Sequence, residues 1–148
     1  MAIENSMLGA THACANPLTA RFGLTHGHAV SVMLPHVVRF NAAGDADVRV
    51  IYRELAMSAG LAMSTDPAEN AVNALTEAME RLLVAGGFPK TLAEAGVDRS
   101  AIPALAAEAA RQWTAQFNPR PVTEENFAAL FEAAHEGVPL SRTTSCAS

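Results

Sequence analysis

The chain has 148 residues, half of them apolar, and a formal net charge of −5. That length suits one domain and lets roughly two thirds of the unfolded surface be buried, enough for a core. Scattered basic residues under a negative net charge argue against a nucleic-acid partner, and no apolar run approaches the roughly 20 residues that a membrane-spanning helix needs.

In chain order, residues 2–15 read as an Ala-rich helix that Asn16-Pro17 ends, because the residue before a proline avoids the helical region. Met1-Ala2-Ile3-Glu4 supplies no cap, so this helix reads as one truncated in its middle. Residues 17–25, with Gly23, form a loop. A second helix opens at His26 and runs to about Ala43, with a kink at Pro35 and Gly44 as its stop. Asp45 caps a third helix over 46–59, whose Val48, Ile51, Tyr52 and Leu55 share one face. Ser64-Thr65-Asp66 caps a helix from Pro67 to Ala85, with Pro67 at its first position and Gly86-Gly87 as its stop. Residues 88–96 connect, with a short helical turn. Asp98 or Ser100 opens a helix that reaches about Trp113, and Asn118-Pro119-Arg120-Pro121 is a rigid linker. Thr123 caps the last helix, which ends near Glu136-Gly137. No alternating strand pattern exceeds four residues. The expectation is an all-α bundle of about six or seven helices over residues 1–136, followed by a disordered tail over 137–148.

The stretch NSMLGATHACANPLTARFGLTHGHAVSVMLPHVVRFN, residues 5–41, stands apart. Residues 1–44 carry only Glu4, Arg21 and Arg39 as charged side chains, where an average segment of that length carries roughly 11. Burial is expected for so apolar a segment, and a buried imidazole needs a hydrogen bond or a metal. The segment holds His12 and His26, fourteen residues apart.

The same stretch resembles the core of the iron-containing (group III) alcohol dehydrogenases. There an N-x-x-L-G-x-x-H-x-x-A helix leads through a loop to an H-G-x-A-x-x-x-x-L-P-H helix. Residues 118–134, NPRPVTEENFAALFEAA, resemble the family's C-terminal end. The resemblance covers essentially the whole chain, and only the helical C-terminal half of such an enzyme, a dehydroquinate-synthase-like domain. It implies that His12 and His26 are two ligands of a divalent metal, Fe2+ first and Zn2+ second. The family's other two ligands are an Asp and a His spaced D-x-x-x-H. Four residues after Asp45, Asp47, Asp66 and Asp98 stand Arg49, Ile51, Asn70 and Ile102, so that spacing does not occur here. The metal would polarise the oxygen of a small alcohol or aldehyde substrate, and hydride would pass to or from NAD or NADP held by a missing N-terminal nucleotide-binding domain.

The remaining polar residues of the segment divide between roles. Many family members carry a second His four residues after the first ligand, a proton-relay position that is Asn16 here. An amide does not titrate near neutral pH, so Asn16 either bonds substrate or ribose in the cleft or caps the helix before Pro17. The run Phe22 to Gly27 borders the cofactor cleft under the same resemblance, and Gly27 permits close backbone approach or simply turns the chain. His28 points away from His26 on a helix, which makes it a cleft-lining residue rather than a ligand. His36 is expected to satisfy a carbonyl freed by the Pro35 kink, and His135 to lie at the surface near a helix C-terminus. Cys14 reads as a small buried filler, with no disulfide to Cys146, in keeping with a reducing, cytoplasmic setting.

The leading reading is thus the metal-binding C-terminal domain of an iron-type, NAD(P)-dependent alcohol dehydrogenase, incomplete and inactive alone. The alternative is a non-catalytic helical dimerisation or partner-docking domain with a relic metal site. A homo-oligomer is expected, joined through faces bearing Met7, Phe22, Val30 and Met33.

Overall fold

A computed structural model describes residues 9–138. Among the described residues the chain is all-α, with six helices: α1 (Gly9–Phe22), α2 (His26–Gly44), α3 (Ala46–Ser58), α4 (Ala68–Ala85), α5 (Ile102–Ala110) and α6 (Glu124–Glu136). Short 3-10 segments at Arg99–Ala101 and Trp113–Phe117 flank α5.

The first correction concerns Pro17. The helix does not stop there but continues to Phe22. A proline inside a helix gives up one backbone hydrogen bond. Against that loss, the continuous helix buries Ala10, Thr11, Ala13, Cys14, Ala15, Pro17 and Leu18. The loop is correspondingly short, residues 23–25, and turns at Gly23 with φ of 66°. Next, α2 runs as one element through the buried Pro35.

Asp45 caps α3 as expected, its Oδ1 accepting from the N–H groups of Asp47 (2.9 Å) and Val48 (3.1 Å). The inward stripe of α3 differs from the expected one. Val48 and Ala56 are buried and Tyr52 packs beside them, whereas Ile51 and Leu55 are 59% and 51% exposed. The helix docks on α2 and α4 through positions four apart, and the neighbouring row is left to solvent. Pro67 precedes α4 as its cap residue instead of occupying its first turn, and Asp66 Oδ2 accepts from the Met63 N–H (2.7 Å). The helix after Asp98 ends at Ala110, short of Trp113. In α6, Thr123 and Asn126 form a reciprocal capping box, and Gly137 closes the helix at φ of 72°. The beginning of the first helix and residues 139–148 of the expected tail lie outside the described residues.

Two cores meet on α2. The larger joins α1, α2, α5 and α6 around Leu18, Met33, Leu105, Phe127, Leu130 and Phe131. The smaller joins α2, α3 and α4 around Val38, Ala42, Ala56, Ala71, Val72 and Leu75. A polar clamp locks the linker before α6 to the C-terminal end of α2. Asn118 Nδ2 donates to Asn41 Oδ1 (2.7 Å), and its own Oδ1 accepts from the Ala10 N–H (3.3 Å). Arg120 donates to the Phe40 carbonyl (2.8 Å) while its guanidinium lies 3.9 Å over the Phe40 ring.

The expected joining face is also corrected. Met33 is fully buried within the chain and Phe22 and Val30 are partly buried, while Met7 lies outside the described residues. Exposed apolar side chains stand on α3 at Val50, Ile51, Leu55 and Met57, on α4 at Leu82 and Val84, and at Trp113 and Phe117. No helix among the described residues is long and apolar enough to cross a membrane.

Candidate metal centre

Helix α1 carries His12 and the first residue of α2 is His26. Their ring centroids are 5.2 Å apart with the planes inclined at 46°. Two imidazoles that share one tetrahedral ion, each nitrogen at about 2.0–2.1 Å, hold their ring centres about 5 Å apart. The spacing of the two ring centres thus matches that of two imidazoles on a single ion. Among the described residues no group of three or more His, Cys, Asp or Glu side chains is arranged to hold a metal. Among the described residues the two imidazoles thus stand as a pair with no third such side chain beside them.

Burial of these histidines was expected and is not what the structure has. His26 is exposed and His12 half-buried. The inward positions around them belong to Ala13, Cys14, Leu24 and Ala29. Small side chains at Ala10, Ala13 and Cys14 let the two helices approach closely, so the apolar character of the segment serves helix packing while the imidazoles remain at its edge.

Asn16 lies one helical turn from His12 but does not cap a helix end. Its Nδ2 donates to Gln112 Oε1 (3.1 Å), fixing the amide from the segment that follows α5. Next to it, Arg21 pairs with Glu108, and that bond raises the guanidinium's affinity for its proton and holds the Glu108 carboxyl below its ordinary range. Phe22 is half-buried against the larger core. Gly27 is exposed, and a Cβ added there would meet nothing within 4 Å, so the space over the first turn of α2 is open.

His28 turns inward, 7% exposed. Its Nε2 lies 3.1 Å from the Pro89 carbonyl and its ring stacks on Phe88 at 5.1 Å. A carbonyl only accepts, so Nε2 carries the proton and is committed to that bond. His36 does not reach a carbonyl with Nδ1, which is buried without a hydrogen-bond partner. Pro35 is buried within α2, and the ring sits beside Arg39, Glu80 and Lys90 instead. His135 is partly buried rather than at the surface, and its Nε2 donates to the Val97 carbonyl (3.1 Å). Cys14 is a buried free thiol whose pKa burial pushes up, an inert filler. Gln112, Phe88 and Pro89 have no local signal in the sequence. They lie 96, 60 and 61 residues from the side chains they touch, and only the fold brings them there.

The model of the Fe-containing alcohol dehydrogenase family, C-terminal, matches residues 1–135. The chain belongs to the iron-containing alcohol dehydrogenase family. Lactaldehyde reductase of Escherichia coli (strain K12) is 36% identical over 134 residues, 90% of this chain and 34% of that protein. 1,3-Propanediol dehydrogenase of Klebsiella pneumoniae is 36% identical over 135 residues, with the same two shares. Among solved structures, alcohol dehydrogenase from Oenococcus oeni superposes with a TM-score of 0.82 at 26% identity, over 90% of this chain and 34% of that one. A crystallised 1,3-propanediol oxidoreductase gives 0.78 at 31% identity, over 86% and 32%. The chain thus spans about a third of the length of the curated relatives it matches, and corresponds to the family's C-terminal domain.

Proposed function

We propose that this chain is the metal-binding part of an iron-type, NAD(P)-dependent oxidoreductase acting on small alcohols or aldehydes. The observation that carries the proposal is the His12–His26 ring pair, 5.2 Å apart on two helices that the larger core holds together. A divalent ion bound there, Fe2+ first and Zn2+ second, supplies Lewis acidity toward a substrate oxygen. His12 and His26 act as ligands rather than as acid and base. Gly27 leaves the space beside them open to substrate or cofactor. Asn16, its amide oriented by Gln112, offers hydrogen bonds but no proton, so any proton moved at that place travels by another group. The further ligands and the nicotinamide cofactor come from a nucleotide-binding domain. The reading includes a reducing, cytoplasmic setting.

The test is reconstitution. The isolated chain should form no NAD(P)H from short alcohols. Fused behind the N-terminal two thirds of a relative such as lactaldehyde reductase, it should give metal-dependent activity that His26→Ala removes. Turnover by the isolated chain that His26→Ala abolishes would overturn the incompleteness. A folded, nucleotide-binding fusion indifferent to His26→Ala would favour a docking domain with a relic site.

A further inference from the structure

We infer that His28 is the positioning residue of the histidine pair: it sets the roll of the first turn of α2 and thereby aims His26 at His12. The inference rests on the metal-centre proposal for its purpose, but not for its geometry.

His26 is the first residue of α2, where a helix is least constrained. Thr25, at the cap position, makes no side-chain cap bond, and His26 and Gly27 are both exposed. The backbone of that turn is held where the Thr25 carbonyl accepts from the Ala29 N–H (3.0 Å) and the Gly27 carbonyl from the Ser31 hydroxyl (2.7 Å), and the His26 ring itself meets the His12 ring. His28, two residues on, is different. It is held by a hydrogen bond to the Pro89 carbonyl at 3.1 Å and by the Phe88 ring at 5.1 Å. A bond and a stack together define both the position and the plane of the imidazole.

The anchor itself is fixed. Three residues after Pro89, Leu92 is fully buried and its N–H donates to the Ala134 carbonyl in α6 (3.0 Å). The Glu94 carboxylate accepts from the Lys90 N–H (3.0 Å), tightening the same connector. The tie therefore runs from α6 through residues 88–92 to His28.

Residues two apart on a helix point about 200° from one another. Pinning His28 inward thus points His26 outward, toward the ring of His12. The leverage is large. A ligand atom about 6 Å from the helix axis moves about 1 Å for every 10° of roll, while metal–ligand distances tolerate about 0.2 Å. A loosened first turn would separate the pair without unfolding the domain.

The experiment uses the full chain with His28→Ala, His28→Gln, which keeps an N–H donor, and His28→Phe, which keeps the stack. Two readouts are taken. One is the nuclear Overhauser contact between the His12 and His26 ring protons in metal-free protein. The other is titration with Co(II) alone, followed by its visible absorption. The wild type should show the contact. His28→Ala should lose it and bind Co(II) about tenfold more weakly, the lower end of what outer-sphere changes give, and His28→Gln should recover both. A structural role alone would lower the melting temperature and leave the contact and affinity of the folded protein untouched, and that result overturns the inference. Should His28→Ala fail to fold, His28→Phe carries the same comparison. Loss of the contact in the variant, with no Co(II) taken up by the wild type, would uphold the positioning role and sink the metal-centre proposal.

Discussion

Acid acts on this domain through His36, a buried imidazole where α2 faces α4. Its pKa is lowered from 6.5 to about 4, chiefly by burial and then by the Arg39 cation, with Glu80 opposing and the Lys90 cation adding to the lowering. The folded state therefore prefers the neutral ring. In the unfolded chain the ring takes a proton near its ordinary value. Stability from this group is complete above about pH 6.5 and is lost as the pH falls toward about 4, because the unfolded state binds the extra proton throughout that window. Between pH 7.5 and 4.5 this amounts to a loss on the order of 2–3 kcal/mol. Urea unfolding followed by circular dichroism at those two pH values measures it, with His36→Gln as the reference that cannot titrate. Carboxylates affect both proteins alike, so the difference of differences isolates the imidazole. The wild type should lose on the order of 2–3 kcal/mol more than the variant. Equal losses, within about 0.5 kcal/mol, would show that His36 is hydrated or paired and would refute the burial argument.

The same structure makes three further predictions. Zn(II) should bind the isolated chain more weakly than about 1 μM, near −8 kcal/mol, since two imidazoles leave the other positions of the ion to water. A tighter calorimetric constant would mean further ligands within the chain. Gly44→Ala should destabilise by about 1–2 kcal/mol, because its Cβ would collide with the Arg120 side chain and force it off the Phe40 carbonyl and ring. Chemical denaturation reads this directly, and a change under about 0.5 kcal/mol would show that Arg120 swings aside freely. The exposed Ile51 and Leu55 predict concentration-dependent association, which Ile51→Glu with Leu55→Glu should abolish in light scattering. Unchanged association in that double variant would move the contact elsewhere.

Local chemistry was legible in the sequence. A carboxylate at Asp45 caps the next helix, Thr123 and Asn126 close a capping box, and Gly137 ends α6 at a positive φ, each through bonds that span four residues or fewer. The two-histidine block, with residues 118–134, likewise carried the family resemblance. What depended on packing was not legible. Pro17 carries a stop signal that the core overrides, because α1 gains more by burying both of its halves than it loses at one carbonyl. On α3 the apolar residues form two adjoining rows, and only the position of α2 and α4 decides that Val48 and Ala56 turn inward while Ile51 and Leu55 do not. His12 stands ten residues before the end of α1, so a straight antiparallel hairpin would leave it about 15 Å along the axis from His26. The rings are nonetheless 5.2 Å apart. That proximity belongs to the tertiary packing of the two helices in the shared core, a relation between surfaces that no spacing of residues along the chain encodes.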